Sequence, residues 1–229
     1  MSQPSSTSRN RRPHAADRPD TFEMVVVHRA FRRGFTGLPA LVRAVPAGDV
    51  ARAAVVLGHL RELADSLHHH HSAEDEMLWP LLLERVDLDR PLVLRMEEQH
   101  ERVAALLERA GAQADAFGQG AAPAAGEVLA VTLTALTGAL EEHLGDEERE
   151  VLPLVERHIS VAEWEAGAER ARSAIPKDRM LVQLGAILEG CSPDEARWFL
   201  ARLPLPARLA WRLAGRRVYR AERVRVFGA

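Results

Sequence analysis

The amino-acid sequence predicts an all-α protein, an up-and-down antiparallel four-helix bundle with a short helical C-terminal extension. Of its 229 residues 47% are hydrophobic but only 5% are aromatic, and such a composition, rich in alanine and leucine, favours helices over sheets. Apolar residues recur at alternating spacings of four and three, the pattern of helices that bury one face. The connections between the predicted long helices are short, which favours antiparallel neighbours.

A two-helix unit occurs twice, in residues 21–86 and in residues 89–158. Each copy has a histidine on its first helix and, 42 or 43 residues later, a His-x-x-x-Glu pair with a proline ten residues after its histidine. A spacing of four residues turns an α-helix by about 400°, so both side chains of a pair lie on one face. The residues that the two copies share in this way are His28, His70, Glu74, His100, His143 and Glu147.

The first helix is predicted to follow a disordered tail. Residues 1–20 are polar and rich in serine, arginine and proline, so they have little to bury, and His14 within them has no assigned role. The helix should begin near Asp20 or Thr21, either of which can cap it, and run to about Val45. Pro39 should kink or break it.

The second helix is predicted from Val50 to about Glu84, with Asp49 as its cap and a kink at Pro80. It carries four consecutive histidines, of which only one can lie on the apolar stripe, and His70 is the one in phase with the flanking apolar residues. The sequence favours a role at the surface or in support of the site, rather than as direct ligands, for His68, His69 and His71.

The third helix is predicted to start after Asp89 as its cap and to continue to about Ala116, and the fourth to run from about Pro123 to His158. Residues 21–159 would thus form the bundle. Residues 160–229 would form the basic helical extension, with capping boxes at Ser160 and Ser192.

The six shared polar residues lie on the apolar stripes of the four helices, in places where leucine is expected. For any one of these histidines an ordinary core or surface position would be the simpler interpretation. Burying all six without compensation would cost on the order of several kcal/mol for each unpaired ion. A multivalent cation that is coordinated by all of them removes this cost, so the pattern predicts a metal site.

Imidazole and carboxylate ligands without thiolate suit iron, manganese or zinc. Six protein ligands exceed the four of a tetrahedral zinc site and divide into two metals with two histidines each, joined by two bridging carboxylates. Such a site keeps positions open for O2, NO or peroxide. A ferritin-like di-iron site would use Glu-x-x-His pairs, and Glu97 with His100 is one, but His28 stands where that pattern needs a glutamate.

These motifs resemble those of the hemerythrin-like HHE cation-binding proteins over about residues 20–160. The resemblance is carried by His28 and by the segments HHHHSAEDEMLWP, EEQHERV and EEHLGDEEREVLP. It implies Glu74 and Glu147 as bridging carboxylates, and as terminal ligands it implies His28, His70, His100 and His143. The segment LARLPLPARLAWRLAGRRVYR resembles the C-terminal extension of a bacterial branch of these proteins.

Two departures from oxygen-carrying hemerythrins affect the expected function. Those proteins have His-x-x-x-His on the third helix, whereas Met96 and Ala104 flank His100 here. Their fourth helix has His-x-x-x-x-Asp, whereas here Glu147 follows at four and Glu148 at five. The loss of a histidine would open a coordination position and make the two metals more alike. It also leaves room for peroxide or NO chemistry, or for iron sensing.

The expected protein is a non-haem di-iron protein that binds O2, NO or H2O2. Whether it is an enzyme is left open, with catalase-like decomposition of peroxide as the candidate activity. The alternative is an iron- or redox-sensing regulatory module without turnover. The expected cofactor is two irons joined by an oxo or hydroxo bridge, with zinc or manganese as less favoured occupants.

Composition and charge add expectations about location and partners. The single cysteine, Cys191, excludes an internal disulfide. No apolar stretch approaches the length of a membrane span, and the N-terminus lacks the apolar part of a secretory signal. A cytoplasmic location is therefore expected. Eight arginines and one acid lie between Arg202 and Arg225. This charge could serve an anionic partner, either nucleic acid or a membrane surface. Nucleic acid is not expected, because no specific nucleic-acid motif accompanies the charge, and a protein partner is open. The preferred interpretation is an amphipathic helix whose arginines are solvated. Its apolar side would pack against the bundle through Leu209, Trp211, Leu213 and Val218.

Overall fold

The computed structural model describes residues 18–86 and 90–228, and no strand occurs among them. The predicted all-α class is therefore confirmed for the described residues. The long helices are α1 (Phe22–Arg43), α2 (Val50–Met77), α4 (Arg90–Gly118) and α5 (Pro123–Asp146). Helix α2 is continued beyond Leu78 by α3 (Trp79–Arg85), and α5 is continued by a π-helical segment and α6 (Leu152–His158).

The four long helices share one apolar core. Helices α1 and α4 each pack against both α2 and α5. Phe35, Leu57, Phe117 and Leu136, one from each long helix, are all at most 2% exposed and lie in the same cluster of buried side chains. The apolar stripes read from the sequence therefore face each other.

Helix α1 runs through Pro39 as one helix, so of the predicted kink or break the break is wrong. A proline in a helix leaves the carbonyl oxygen four residues before it without an amide donor. Here that oxygen belongs to Phe35. The hydroxyl of Thr137 on α5 lies 3.3 Å from it and 2.9 Å from the carbonyl oxygen of Leu133 in its own helix, so its single proton is shared between two acceptors. The neighbouring helix thus replaces the missing donor in part.

The two repeat prolines do interrupt their helices, each in its own way. The second helix was expected to run to about Glu84 with a kink at Pro80, but α2 ends at Met77 and α3 begins at Trp79, so the chain is interrupted near the predicted kink. The fourth helix was expected to run unbroken from Pro123 to His158, but residues Glu147–Val151 form a π-helical turn, and α6 begins at Leu152 with Pro153 in its first turn. The amide of Leu152 donates to the carbonyl of Glu147, five residues back, so the helix widens at that glutamate.

The segment Pro123–His158 is long and apolar enough, by length and composition alone, to cross a membrane, contrary to the expectation from the sequence. Its leucines are nevertheless buried against the other long helices, including Leu129, Leu133, Leu136 and Leu140. Burial in the core accounts for the hydropathy of this helix.

The described part of the extension forms five α-helices. They are α7 (Val161–Ser173), α8 (Met180–Glu189), α9 (Pro193–Arg202), α10 (Leu205–Ala210) and α11 (Arg216–Phe227), with a π-helical segment at Trp211–Gly215. Of these, α7, α8 and α11 pack on the outside of α1 or α2, while α9 contacts α1 through Trp198 and Glu195. Both predicted capping boxes are present, Ser160 with Glu163 and Ser192 with Glu195. The predicted cap Asp89 and most of the predicted disordered tail, residues 1–17, lie outside the described residues.

The prediction that Leu209, Trp211, Leu213 and Val218 all pack against the bundle is wrong in part. Trp211 and Val218 are half-buried, but Leu209 is 48% exposed and Leu213 is 84% exposed. Residues two apart on a helix point about 200° away from each other, so a helix that turns Trp211 inward turns Leu209 and Leu213 outward.

Candidate metal centre

The structure brings all six sequence-predicted residues together among the four long helices. None of them is more than 7% exposed, and His28, His143 and Glu147 are fully buried. Helices α1 and α4 each contribute one histidine, His28 and His100. The remaining residues come from the His-x-x-x-Glu pairs of α2 and of the α5 end. The two copies of the repeat therefore meet at one place.

The four predicted histidines form two close pairs. The Nε2 atoms of His28 and His70 are 3.1 Å apart, and those of His100 and His143 are also 3.1 Å apart. Two nitrogens that each lie about 2.1 Å from one metal ion at a right angle are about 3 Å apart. Each pair thus has the spacing of two adjacent ligands of one ion.

The two glutamates lie between the histidine pairs. One carboxylate oxygen of Glu74 is 3.2 Å from Nε2 of His70, and the other is 3.4 Å from Nε2 of His100. Glu147 Oε2 is 3.4 Å from Nε2 of His28 and 3.8 Å from Nε2 of His143. Each carboxylate therefore reaches one histidine of both pairs, which is the placement of a bridging ligand.

These buried carboxylates lack ordinary hydrogen-bond partners. Among the described residues no donor meets the geometric requirements of a hydrogen bond for either oxygen of Glu74 or of Glu147. Buried carboxylate oxygens without partners are costly, and coordination to cations would satisfy them. The donor set of imidazoles and carboxylates fits divalent or trivalent iron, manganese or zinc.

The far nitrogens of two histidines are held by carboxylates that occupy equivalent positions in the repeat. His28 Nδ1 lies 2.9 Å from Glu148 Oε1, and His100 Nδ1 lies 2.8 Å from Asp75 Oδ1. Glu148 and Asp75 each directly follow a glutamate of the centre. A carboxylate accepts hydrogen bonds, so these Nδ1 atoms donate, and the Nε2 atoms face the centre. Glu148 therefore contacts the outer nitrogen of His28, on the side of the ring away from the centre.

A third histidine is held by an amide. Nδ1 of His143 lies 3.3 Å from Oε1 of Gln99, and the amide nitrogen of Gln99 donates to Asp146 Oδ2 at 3.0 Å. The bond to Asp146 fixes which end of the amide is the oxygen. His143 therefore donates from Nδ1 and keeps Nε2 for the centre.

His71 is buried beside the cluster, so of the two roles that the sequence favoured for it, at the surface or in support of the site, the surface role is wrong. It is 7% exposed, its ring stacks on that of His100 with centroids 4.0 Å apart, and its Nε2 has no hydrogen-bond partner among the described residues. Its ligand atom lies within 4.8 Å of those of Glu74, His100 and His143. The second such group consists of His28, His70, Glu74 and Glu147.

Helix geometry explains why His71 reaches the centre. Helix α2 packs between α1 and α4, and neighbouring residues on a helix diverge by about 100°. His70 therefore faces His28 on α1, and His71 faces His100 on α4. A helix that packs against two neighbours buries a wider stripe than a helix with one. A sequence prediction that assumed this wider stripe would have included His71. His68 is exposed and His69 is half-buried, and neither joins the cluster.

Burial shifts the protonation equilibria of the centre. It raises the pKa of Glu147 to about 8, with repulsion from Glu74 adding to the effect, and it lowers the pKa of His143 to about 2. Burial also disfavours the charged form of His100, but the hydrogen bond to Asp75 and the nearby carboxylate of Glu74 outweigh it and raise the pKa of His100 to about 9. Without a metal ion, protons thus partly neutralise the carboxylates at pH 7.

Comparison with known proteins gives one result. A family model described as the hemerythrin HHE cation binding domain matches residues 21–155, more than half of the chain. The matched range includes every residue of the cluster and ends before the extension. No curated protein and no solved structure gives a significant match.

Proposed function

Because the chain belongs to the hemerythrin HHE cation-binding family, we propose that it is a non-haem di-iron protein that binds O2, NO or H2O2. The observation that carries this proposal is the pair of buried carboxylates, each reaching one histidine of both pairs without another partner. Two ions joined by two carboxylates account for this arrangement. The contacts of α1 and α4 with both α2 and α5 support the up-and-down antiparallel bundle that we propose for the long helices.

We assign His28 and His70 to one ion and His100 and His143 to the other, with Glu74 and Glu147 as bridges. His71 is a fifth imidazole, directed to the second ion, and it makes the two positions unequal, unlike the arrangement that the sequence favoured. Bound iron supplies redox chemistry and open coordination positions for small ligands. Asp75 and Glu148 orient the ligand imidazoles, while the surrounding apolar side chains restrict water.

The role of His71 can be tested by replacing it with leucine. His71→Leu is expected to weaken the binding of one of the two ions and to leave the other bound. Losing a residue that only hydrogen-bonds to a metal ligand lowers metal affinity roughly 10–100-fold, so the loss of His71 should cost at least that much. His69→Leu, in the neighbouring position outside the cluster, is the matched control. The measurement is a Co(II) titration followed by visible absorption. Two equally tight ions in His71→Leu would show that His71 only packs on His100.

The di-iron proposal itself predicts about two irons per chain after anaerobic loading with Fe(II). Exposure to air should then produce the near-ultraviolet absorption of a bridged ferric pair, and added H2O2 should release O2 from the loaded chain. Glu147→Ala is expected to lose both signals. A single bound zinc, or no iron, would refute the di-iron assignment. Two irons without reaction toward O2, NO or peroxide, together with iron-dependent resistance to proteases, would instead favour the regulatory module.

A further inference from the structure

Helix α10 and the turn after it expose a stripe of large apolar side chains. Leu205 is 63% exposed, Leu209 is 48% exposed and Leu213 is 84% exposed. Their four-residue spacing places them along one side of the helix. Arg208, Arg212 and Arg216 follow the same spacing in the adjacent row. These six residues are called the arginine–leucine face.

The other side of the same helical segment is fixed to the protein. Gly215 and Val226 are buried, Trp211 is half-buried, and α11 packs on α8 and α2. The helix therefore cannot rotate to bury the leucines without exposing its packed side. The leucines are held outward by the fold.

A groove of about 660 Å3 runs beside the exposed leucines, between α9 and the segment from α10 to Arg216. Leu200, Leu209 and Trp211 belong to its apolar lining, and the arginines that also line it are Arg197, Arg208, Arg212 and Arg216. An apolar surface with arginines along it suits the boundary between acyl chains and charged headgroups, because arginine can place its alkyl part on apolar surface and its charge in water.

The arginines of this face are not neutralised by the protein. In the described part of the chain Arg208, Arg212 and Arg216 form no ion pair, whereas nearby Arg223 and Arg225 pair with Glu189 and Glu222. Eight of the 30 basic residues, but one of the 33 acidic residues, lie between Arg202 and Arg225. Because the net charge is −3, the rest of the chain is acidic, so positive charge is concentrated at this end.

We propose that the arginine–leucine face binds an anionic phospholipid surface. Nucleic acid would account for the arginines but not for three exposed leucines in a row, and a second copy of the chain would account for the leucines but not for the unpaired arginines. An anionic bilayer surface uses both, since apolar side chains enter the headgroup boundary while arginines meet lipid phosphates. The metal centre would then be held near the membrane.

The test is sedimentation of the full chain with vesicles of phosphatidylcholine, alone or mixed with phosphatidylglycerol. Binding is expected only with phosphatidylglycerol and should weaken with added salt. Arg208→Gln and Arg212→Gln should each weaken it about fivefold, because an arginine near an anionic surface contributes on the order of 1 kcal/mol. Leu209→Gln with Leu213→Gln should abolish it. These side chains are exposed, so the variants should melt like the parent.

The matched control is Val128→Gln with Val131→Gln, which removes two exposed aliphatic side chains on a different helix, α5, where they are 54% and 58% exposed. It should bind vesicles like the parent. The proposal is wrong if the chain binds neither kind of vesicle. It is also wrong if the chain binds duplex DNA instead and the Leu209→Gln, Leu213→Gln variant binds DNA as well as the parent does. Concentration-dependent dimers that the leucine variant loses, without vesicle binding, would also overturn it.

Discussion

Loading the metal-free chain with Fe(II) under anaerobic conditions is expected to raise its melting temperature by about 10 °C. A ligand that is present at about a thousand times its dissociation constant stabilises the folded state by about 4 kcal/mol, and 1 kcal/mol corresponds to about 2–4 °C in a protein of this length. The effect is large because the metal-free fold buries Glu74 and Glu147 without hydrogen-bond partners among the described residues. Thermal melting followed by circular dichroism would measure it.

The matched control is the double variant Glu74→Leu with Glu147→Leu. Both positions lie on apolar stripes, so leucine can pack there, and replacing buried acids by apolar side chains is often neutral or stabilising. This variant should melt no lower than the metal-free parent and should show no response to iron. If iron stabilised it as much as the parent, the stabilising ions would be bound elsewhere.

The affinity of the metal-free centre for Zn(II) is expected to rise steeply as the pH increases toward 9. The raised pKa values, about 8 for Glu147 and about 9 for His100, mean that both groups hold protons at lower pH. Both must lose these protons to act as ligands, and each released proton changes the apparent affinity about tenfold per pH unit below the corresponding pKa. The expected slope is therefore about a hundredfold per unit below pH 8, falling to about tenfold between 8 and 9.

Competition with a chromophoric chelator at a series of pH values would measure this slope, and zinc avoids redox reactions. The same titration in weakly buffered solution should show protons released at pH 7. Glu147→Gln is the informative variant, because it cannot titrate at that position and should lower the slope by one proton. An affinity that does not change between pH 6 and 9 would show that the metal enters a site whose ligands are already deprotonated.

The principal residues of the centre could be recognised without the structure because polar residues stood in apolar positions. His70 and Glu74 interrupt a stripe with spacings of four and three, and His143 and Glu147 repeat the pattern. A histidine at such a position must be buried in the core, whatever the relative arrangement of the helices. The internal repeat then paired these residues with His28 and His100. The structure brought all six together.

The partners of the outer nitrogens were not visible in this way. Asp75 and Glu148 lie one residue past the stripe, where charged residues are normally solvated. Each becomes a partner of a histidine only because the adjacent helix belongs to the other copy of the repeat. The same holds for Gln99, whose amide direction depends on Asp146.

By itself, then, the sequence determined the helical class, the repeat and the six polar residues that share the buried stripes, because periodicity and burial are properties of single helices. Only the tertiary structure decided that His71 joins them, that the fourth helix widens at Glu147, and that Leu209 and Leu213 point to solvent. Each of these depends on which neighbours flank a helix and at what angle. A stripe in the sequence indicates which side of a helix is buried, but it does not indicate how many neighbours that side faces.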